Sequence, residues 1–226
     1  MPYIMDEENI FRGKTILITG GCGTIGSAIV KKLIGCEASQ IRIFDNRETG
    51  LFNLQHELKE NKNIRFLLGD IRDIERLNHA MKNVDIVFHA AALKHVPSCE
   101  YNPFEAIKTN IYGTQNVINA AIGRDVKLVV SISTDKAVNP VSVMGSTKLL
   151  TEKLVSAAYF FSGRKGIKFA NVRFGNVLNS DGSVIPLWKE QIRKGNLLTI
   201  TDPNATRFVI PIEKAVELVL KAATLT

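Results

Sequence analysis

An apolar run that ends in a cluster of glycines leaves this chain few folds to choose from. Positions 14–19 read K-T-I-L-I-T and pass directly into Gly20-Gly21-Cys22-Gly23-Thr24-Ile25-Gly26. A short, continuous apolar run predicts a parallel strand covered on both faces. Ile25, Ala28, Ile29 and Leu33 then recur at helical spacing, so a helix starts at Thr24. Lacking side chains, Gly20, Gly23 and Gly26 permit a tight turn, let backbone N–H groups approach a pyrophosphate and let the helix pack on the strand. A glycine triad alone also suits an ordinary turn. Here, however, Asp45 closes the next strand nineteen residues after Gly26, where an acid accepts hydrogen bonds from an adenosine ribose. The combined pattern predicts a dinucleotide site.

The same grammar continues along the chain. Strands are predicted at 41–44, 64–68, 84–89, 126–132 and 167–172, with helices at 24–33, 51–58, 74–81, 104–122 and 143–161. Repeated β–α alternation with helices of this length predicts an α/β fold with a doubly wound parallel (Rossmann) sheet. After Arg173 the texture changes: Gly175, Asn179, Asp181, Gly182, Pro186, Pro203 and Pro211 punctuate shorter elements. These are a helix at 184–193, a strand at 197–201 and a last helix at 212–223. The division expected is an N-terminal extension (1–12), a dinucleotide-binding domain (13–173) and the beginning of a small C-terminal substrate lobe (174–226).

Composition narrows the classes. The three cysteines (Cys22, Cys36, Cys99) form no C-x-x-C pair, which favours neither a disulfide framework nor a zinc site and fits a reduced, cytoplasmic setting. No run of eighteen apolar residues occurs, and the acidic Asp6, Glu7 and Glu8 are wrong for a signal peptide. The net charge of +7 suits anionic ligands, though scattered solvated lysines give the same number. No basic strip is interleaved with aromatics, so nucleic acid is not an expected partner.

Several strand ends carry candidate ligands. Asp45 and Asn46 face the ribose position, and the charge of Asp45 favours NAD by repelling a 2′-phosphate. Arg47 is either the group that would hold that phosphate in NADP or a solvated arginine at a helix start. Asp70 is placed to bond an adenine amino group and Ile71 to cover its face. Ala90, Ala91 and Ala92 are small enough for a cofactor to pass, and His89 before them reads as a packed strand-end residue. Asn110, in the following helix, either supports an active-site lysine or is an ordinary polar helix residue. The most chemical stretch is 131–148, S-I-S-T-D-K-A-V-N-P-V-S-V-M-G-S-T-K. It sets a hydroxyl (Thr134), a carboxylate (Asp135) and an amine (Lys136) at the end of a buried strand, with Met144 and Lys148 one helical turn apart beyond it. The plainer alternatives are a capped turn at Thr134-Asp135, a core methionine and a solvated lysine.

These segments resemble the UDP-N-acetylglucosamine 4,6-dehydratases of bacterial and archaeal surface-glycan synthesis, in the extended short-chain dehydrogenase/reductase superfamily. The resemblance rests on H-A-A-A-L-K-H-V-P (89–97), N-P-F-E-A-I-K-T-N (102–110), S-T-D-K-A-V-N-P (133–140), M-G-S-T-K (144–148) and N-V-L-N-S-D-G-S-V-I-P (176–186). The superfamily's usual pair is Tyr-x-x-x-Lys; here Met144 takes the tyrosine's place, as in one subgroup of these enzymes, including membrane-anchored relatives. The resemblance implies NAD or NADP as cofactor and a UDP-sugar as substrate. Hydride leaves sugar C4, water is lost across C5 and C6, and the hydride returns at C6, with or without inversion at C5. It implies Asp135 as the acid for the departing 6-hydroxyl, Lys136 as the C5 base, Thr134 at the 4-hydroxyl and Lys148 at the nicotinamide ribose. Lys94, Asn176, Val177, Ser183, Val184, Pro186 and Thr199 are implied on the substrate side, with Arg207 meeting a diphosphate. It also implies a homo-oligomer, and soluble members roughly a hundred residues longer that complete the sugar-nucleotide lobe. Two rival readings remain: a nucleotide-sugar 4-epimerase, and a dinucleotide-binding fragment without turnover.

Overall fold

The computed structural model describes residues 9–163 and 166–226; the acidic triplet Asp6, Glu7 and Glu8 lies outside the described residues. Six strands, β1 (Thr15–Thr19), β2 (Gln40–Asp45), β3 (Ile64–Leu68), β4 (Ile86–His89), β5 (Leu128–Thr134) and β6 (Lys168–Phe174), form one parallel sheet. Its order is β3-β2-β1-β4-β5-β6. The direction of winding reverses between β1 and β4, which opens a crevice at the strands' carboxyl ends. Period-two alternation along the strands feeds two cores. Ile16 and Ile18 of β1 join Ile41, Ile43, Phe88 and Val130 on one face, whereas Leu17 joins Phe44, Val87 and Val129 on the other.

Helices α1 (Thr24–Ile34), α2 (Glu48–Glu57) and α3 (Ile74–Ala80) stand where the periodicity predicts. The helix predicted at 104–122 is helical throughout, from Pro103 to Gly123, with a π-helical turn inside it. Pro97 and Pro103 start two short helices, α4 (Val96–Tyr101) and α5 (Pro103–Ala106), and a π-helical turn (Ile107–Tyr112) joins α5 to α6 (Gly113–Gly123). A 3-10 turn (Asp135–Ala137) follows β5, and α7 (Val143–Phe161) covers the full predicted span.

Beyond β6 the prediction needs one correction. Residues 197–201 form no strand: Trp188 and Gln191 of α8 (Val184–Arg193) bond Thr199, and Leu197 is 93% exposed. The pairing there is instead a two-residue parallel bridge between β7 (Asn176–Val177) and β8 (Val209–Ile210). Helix α8 has no buried residue. The last helix, α9 (Ile212–Leu225), packs against α1, β5 and β6, and its Val216, Val219, Leu220 and Ala223 complete the first core.

Candidate active site

The glycine loop sits at the carboxyl end of β1. Gly20 adopts a left-handed φ of +66°, and a Cβ there would lie 2.6 Å from the backbone of Ala91. A Cβ on Gly26 would lie only 2.2 Å from the Gly20 carbonyl. Both positions require glycine, which brings β4 and α1 against the turn. Gly23 starts α1 with no side-chain cap, so the helix's positive end is left for an anion.

The end of β2 faces this loop. The buried Asp45 carboxylate accepts the Cys22 N–H at 2.9 Å through Oδ2 and the Arg47 N–H at 2.9 Å through Oδ1. The Arg47 guanidinium leans onto the same carboxylate, its Nε 3.4 Å from Oδ1. Burial and Asp45 together push the Cys22 thiol up to about 12, so it stays protonated. At the end of β3, Asp70 accepts from Asn46 and, through both oxygens, from Arg72. Burial raises the Asp70 carboxyl, but these bonds outweigh it and hold it below the usual range. Ile71 is buried in the second core, and a Cβ on Gly113 would lie 2.5 Å from its Cδ1. Ile71 thereby packs between the end of β3 and α6.

Behind the Ala90-Ala91-Ala92 segment, His89 is sealed between two threonines. Thr114 donates its hydroxyl proton to the Asn110 carbonyl, so it accepts from His89 Nε2; His89 Nδ1 then accepts from Thr19. Burial pushes His89 down to about 3, with the Lys148 charge adding to the effect. It is a neutral structural residue. Asn110 lies in the π-helical turn, whose altered ladder leaves its carbonyl to accept from Thr114 and Thr151. Its side chain bonds both backbone groups of Leu93 and the Thr147 hydroxyl. These bonds clamp the segment after β4 onto α7, at the residue preceding Lys148.

The carboxyl end of β5 carries the reactive groups. Thr134 donates to Asp135 Oδ1 at 2.9 Å, and Lys136 Nζ donates to the same oxygen at 3.1 Å and to Asn176 Oδ1 at 2.7 Å. Thr134 also caps the 3-10 turn. Burial raises the Asp135 carboxyl, yet bonds from Lys136 and Thr134 prevail and hold it below the usual range. Lys136 is 36% exposed, so the desolvated lysine of this site is a different one. Lys148 is buried, with its amine donating to the Ile132 carbonyl at 2.7 Å. Burial pushes it down to about 8, against the pull of Glu152.

The inward face of α7 consists of Met144, Thr147, Lys148, Thr151, Glu152, Val155 and Ala158, while Leu150 points outward and Leu149 and Leu154 are half-buried. Met144 fills a small apolar cluster with Cys99 and Ala106. Sequence reasoning missed Glu152, which Arg173 of β6 grips with a bidentate fork. The available signal was spacing: Glu152 lies four residues after Lys148, on the same helix face.

The segment after β6 reaches back to the glycine loop. The Asp181 N–H bonds the Thr24 hydroxyl at 2.9 Å, and the Asp181 carbonyl accepts from Lys94 Nζ at 2.6 Å. Burial lowers the Lys94 amine. Gly182, with φ of +66°, lies against the His95 ring. Ile25, like Thr24, lies in the first turn of α1. Ser183, the N-cap of α8, has a buried hydroxyl without a partner, and Val184 and Pro186 form the first turn beyond it. Val177 is buried beside Asn176. Thr199 is tied to α8, and Arg207 is exposed, bonding only the neighbouring Thr206 carbonyl among the described contacts. These last two stand apart from the β5 cluster in every contact seen.

The sequence pattern of the polysaccharide biosynthesis protein family matches residues 16–226. An uncharacterized membrane protein of Methanocaldococcus jannaschii is 56% identical over 220 residues, covering 97% of this chain and 66% of its own. The UDP-N-acetylglucosamine 4,6-dehydratase (inverting) of Campylobacter jejuni is 47% identical over 213 residues, covering 93% and 64%. A protein named UDP-glucose 4-epimerase in Rickettsia canadensis is 45% identical over 217 residues, covering 94% and 63%. Among solved structures, Pen from Bacillus thuringiensis matches with a TM-score of 0.94 at 46% identity, over 96% of this chain and 69% of that one. The chain thus spans between 63% and 66% of the length of these curated relatives. No described helix is long and apolar enough to cross a membrane. Sheet order, glycine cradle and overall match agree: the chain belongs to the polysaccharide biosynthesis protein family, an extended short-chain dehydrogenase/reductase group that includes nucleotide-sugar dehydratases and epimerases.

Proposed function

We propose that this chain carries the catalytic centre of a nucleotide-sugar 4,6-dehydratase that uses NAD and acts on UDP-N-acetylglucosamine or a close relative. The observation that carries the reading is the Thr134–Asp135–Lys136 cluster, three proton-handling groups hydrogen-bonded in series at the end of β5. The glycine cradle, the uncapped start of α1 and Asp45 fit a dinucleotide, with Lys148 at its nicotinamide ribose. A bound nicotinamide supplies reversible acceptance of hydride, which makes the sugar's C5 proton acidic.

The residues then have to move two protons. Thr134 donates to Asp135 and accepts the Lys136 N–H, so its oxygen keeps one lone pair for the substrate's 4-hydroxyl while its own proton passes to the carboxylate. Asp135, held ionised at rest, becomes the acid that the departing 6-hydroxyl needs. Lys136, which donates to Asp135 Oδ1 and Asn176 Oδ1, is the amine placed to take the C5 proton once it has released one of its own to solvent. The protons balance when solvent is included: Asp135 gives the proton it received to the leaving water, and Lys136 returns one to C5 and regains from solvent the one it had released. Met144, packed on Cys99 and Ala106, has no part in proton transfer.

Incubation with UDP-N-acetylglucosamine and mass spectrometry separates the readings. Loss of water supports the dehydratase; an isobaric epimer would support the 4-epimerase named for the Rickettsia relative; no change would mark a chain that binds without turnover. Asp135→Asn is expected to abolish water loss, and Lys136→Met to stop C5 exchange with deuterated water, both with NAD affinity intact. Near-normal turnover in both variants would sink the assignment. Calorimetry is expected to show NAD bound more tightly than NADP, because the Asp45 charge faces the ribose position and Arg47 is engaged with it. A tenfold preference for NADP, about 1.4 kcal/mol, would transfer control to Arg47.

A further inference from the structure

Behind the site, α7 carries a carboxylate that the chemistry above leaves unused. Glu152 follows Lys148 by one turn on the same buried face, and its side chain is only 10% exposed. Arg173 holds it in a fork, Nε to Oε1 at 2.7 Å and Nη2 to Oε2. Arg173 stands on β6 opposite Ser133 of β5, so the fork fixes the carboxylate beside the strand that ends in Thr134. Packing a helix on a strand needs no charge at this depth, and burying one is costly unless it is paired.

The surroundings of Lys148 give that charge a role. From β5 the amine meets the Ile132 carbonyl, and from β4 it faces His89, kept neutral by its two threonines. The Asp135–Lys136 pair in the adjoining turn is partly exposed to solvent, whereas the Glu152 carboxylate is buried. Met144, one turn earlier, brings no ionisable group. Glu152, with Arg173 behind it, is the negative side chain that acts on the amine. We propose that Glu152, gripped by Arg173, is a positioning residue for Lys148, supplying from behind the countercharge that keeps its amine an ammonium at the dinucleotide site. The inference rests on the reading of Lys148 as a dinucleotide ligand and not on the dehydration. Burial drives the Lys148 amine down to about 8 and Glu152 opposes that shift; removing the carboxylate's charge therefore lowers it further.

The test is NAD affinity by calorimetry between about pH 6 and 9.5, a range that brackets the Lys148 titration. Wild-type affinity is expected to fall above about pH 8 as the amine loses its proton. In Glu152→Gln the fall is expected about one pH unit lower. Glu152→Asp, which keeps the charge but withdraws it by one methylene, is expected to give a smaller shift in the same direction and serves if the glutamine variant does not fold. In a Lys148→Arg background, whose guanidinium stays protonated over this range, Glu152→Gln is expected to move nothing. A merely structural role would lower stability without moving the pH limb. An unmoved limb in protein that binds NAD overturns this inference alone. Failure of the wild type to bind NAD overturns the dinucleotide reading and this inference with it.

Discussion

The doubly wound body and the 175–211 segment are built on opposite principles. In the body, Ile16, Leu17, Ile18 and Phe88 are fully buried and the helices cover both sheet faces. In the segment, Leu187, Ile192, Leu197 and Phe208 are exposed, and α8 buries nothing. The side-chain bonds that tie the segment to the body are polar: Asp181 to Thr24 and Lys94, and Asn176 to Lys136. Apolar burial contributes roughly 25 cal/mol per Å², whereas one exchanged hydrogen bond nets only about 1 kcal/mol. The body therefore carries its own stability, and the segment takes its position from the site it overlies.

The contrast can be broken first in the core. Ile18→Ala is expected to cost about 3 kcal/mol in denaturant unfolding, whereas Ile192→Ala, on the exposed helix, should stay within about 0.5 kcal/mol. Comparable losses at the two positions would mean that the segment packs cooperatively with the sheet. Acid provides the second test, because His89 is locked neutral inside the body. Its folded value of about 3 lies below the ordinary 6.5, so the unfolded chain binds the extra proton and stability falls as pH drops from 6.5 towards 3. Between pH 7 and 5 the loss is about 2 kcal/mol, and His89→Gln should abolish that part of the slope. An unchanged slope would mean that the ring takes up its proton in the folded state. The smallest effect belongs to the segment. Arg207→Ala is expected to weaken UDP-sugar binding by about 1.5 kcal/mol with NAD affinity unchanged. Indifference of a tightly bound UDP-sugar to this change would remove Arg207 from the diphosphate position.

Legibility followed the same divide. The six strands, the glycine loop, α1 and α7 could be read from consecutive residues, because a period of two or 3.6 and a run of glycines are local signals. The helix predicted at 104–122 hid a π-helical turn around Asn110, whose carbonyl is used by Thr151, a residue far along the chain. Helix α7 lies over strand ends that present the Ile132 carbonyl and Arg173, so Lys148 and Glu152 turn inward, which the helix's own sequence does not record. The strand predicted at 197–201 failed because α8 claims Thr199: Gln191 takes its backbone N–H and Trp188 donates to its carbonyl.

By itself, the sequence determined the layered α/β body, the glycine turn with Asp45 opposite it, and the run of Thr134, Asp135 and Lys136, since each is written in neighbouring residues. Only the tertiary structure decided which polar atoms meet. Lys136 finds Asn176 across 40 residues, Glu152 finds Arg173 across 21, and Asp181 finds Thr24 across 157. Those meetings depend on strand order and register, with β6 beside β5 and β4 beside β1. Sheet order brings distant strand ends to one crevice, and a local pattern carries no record of that.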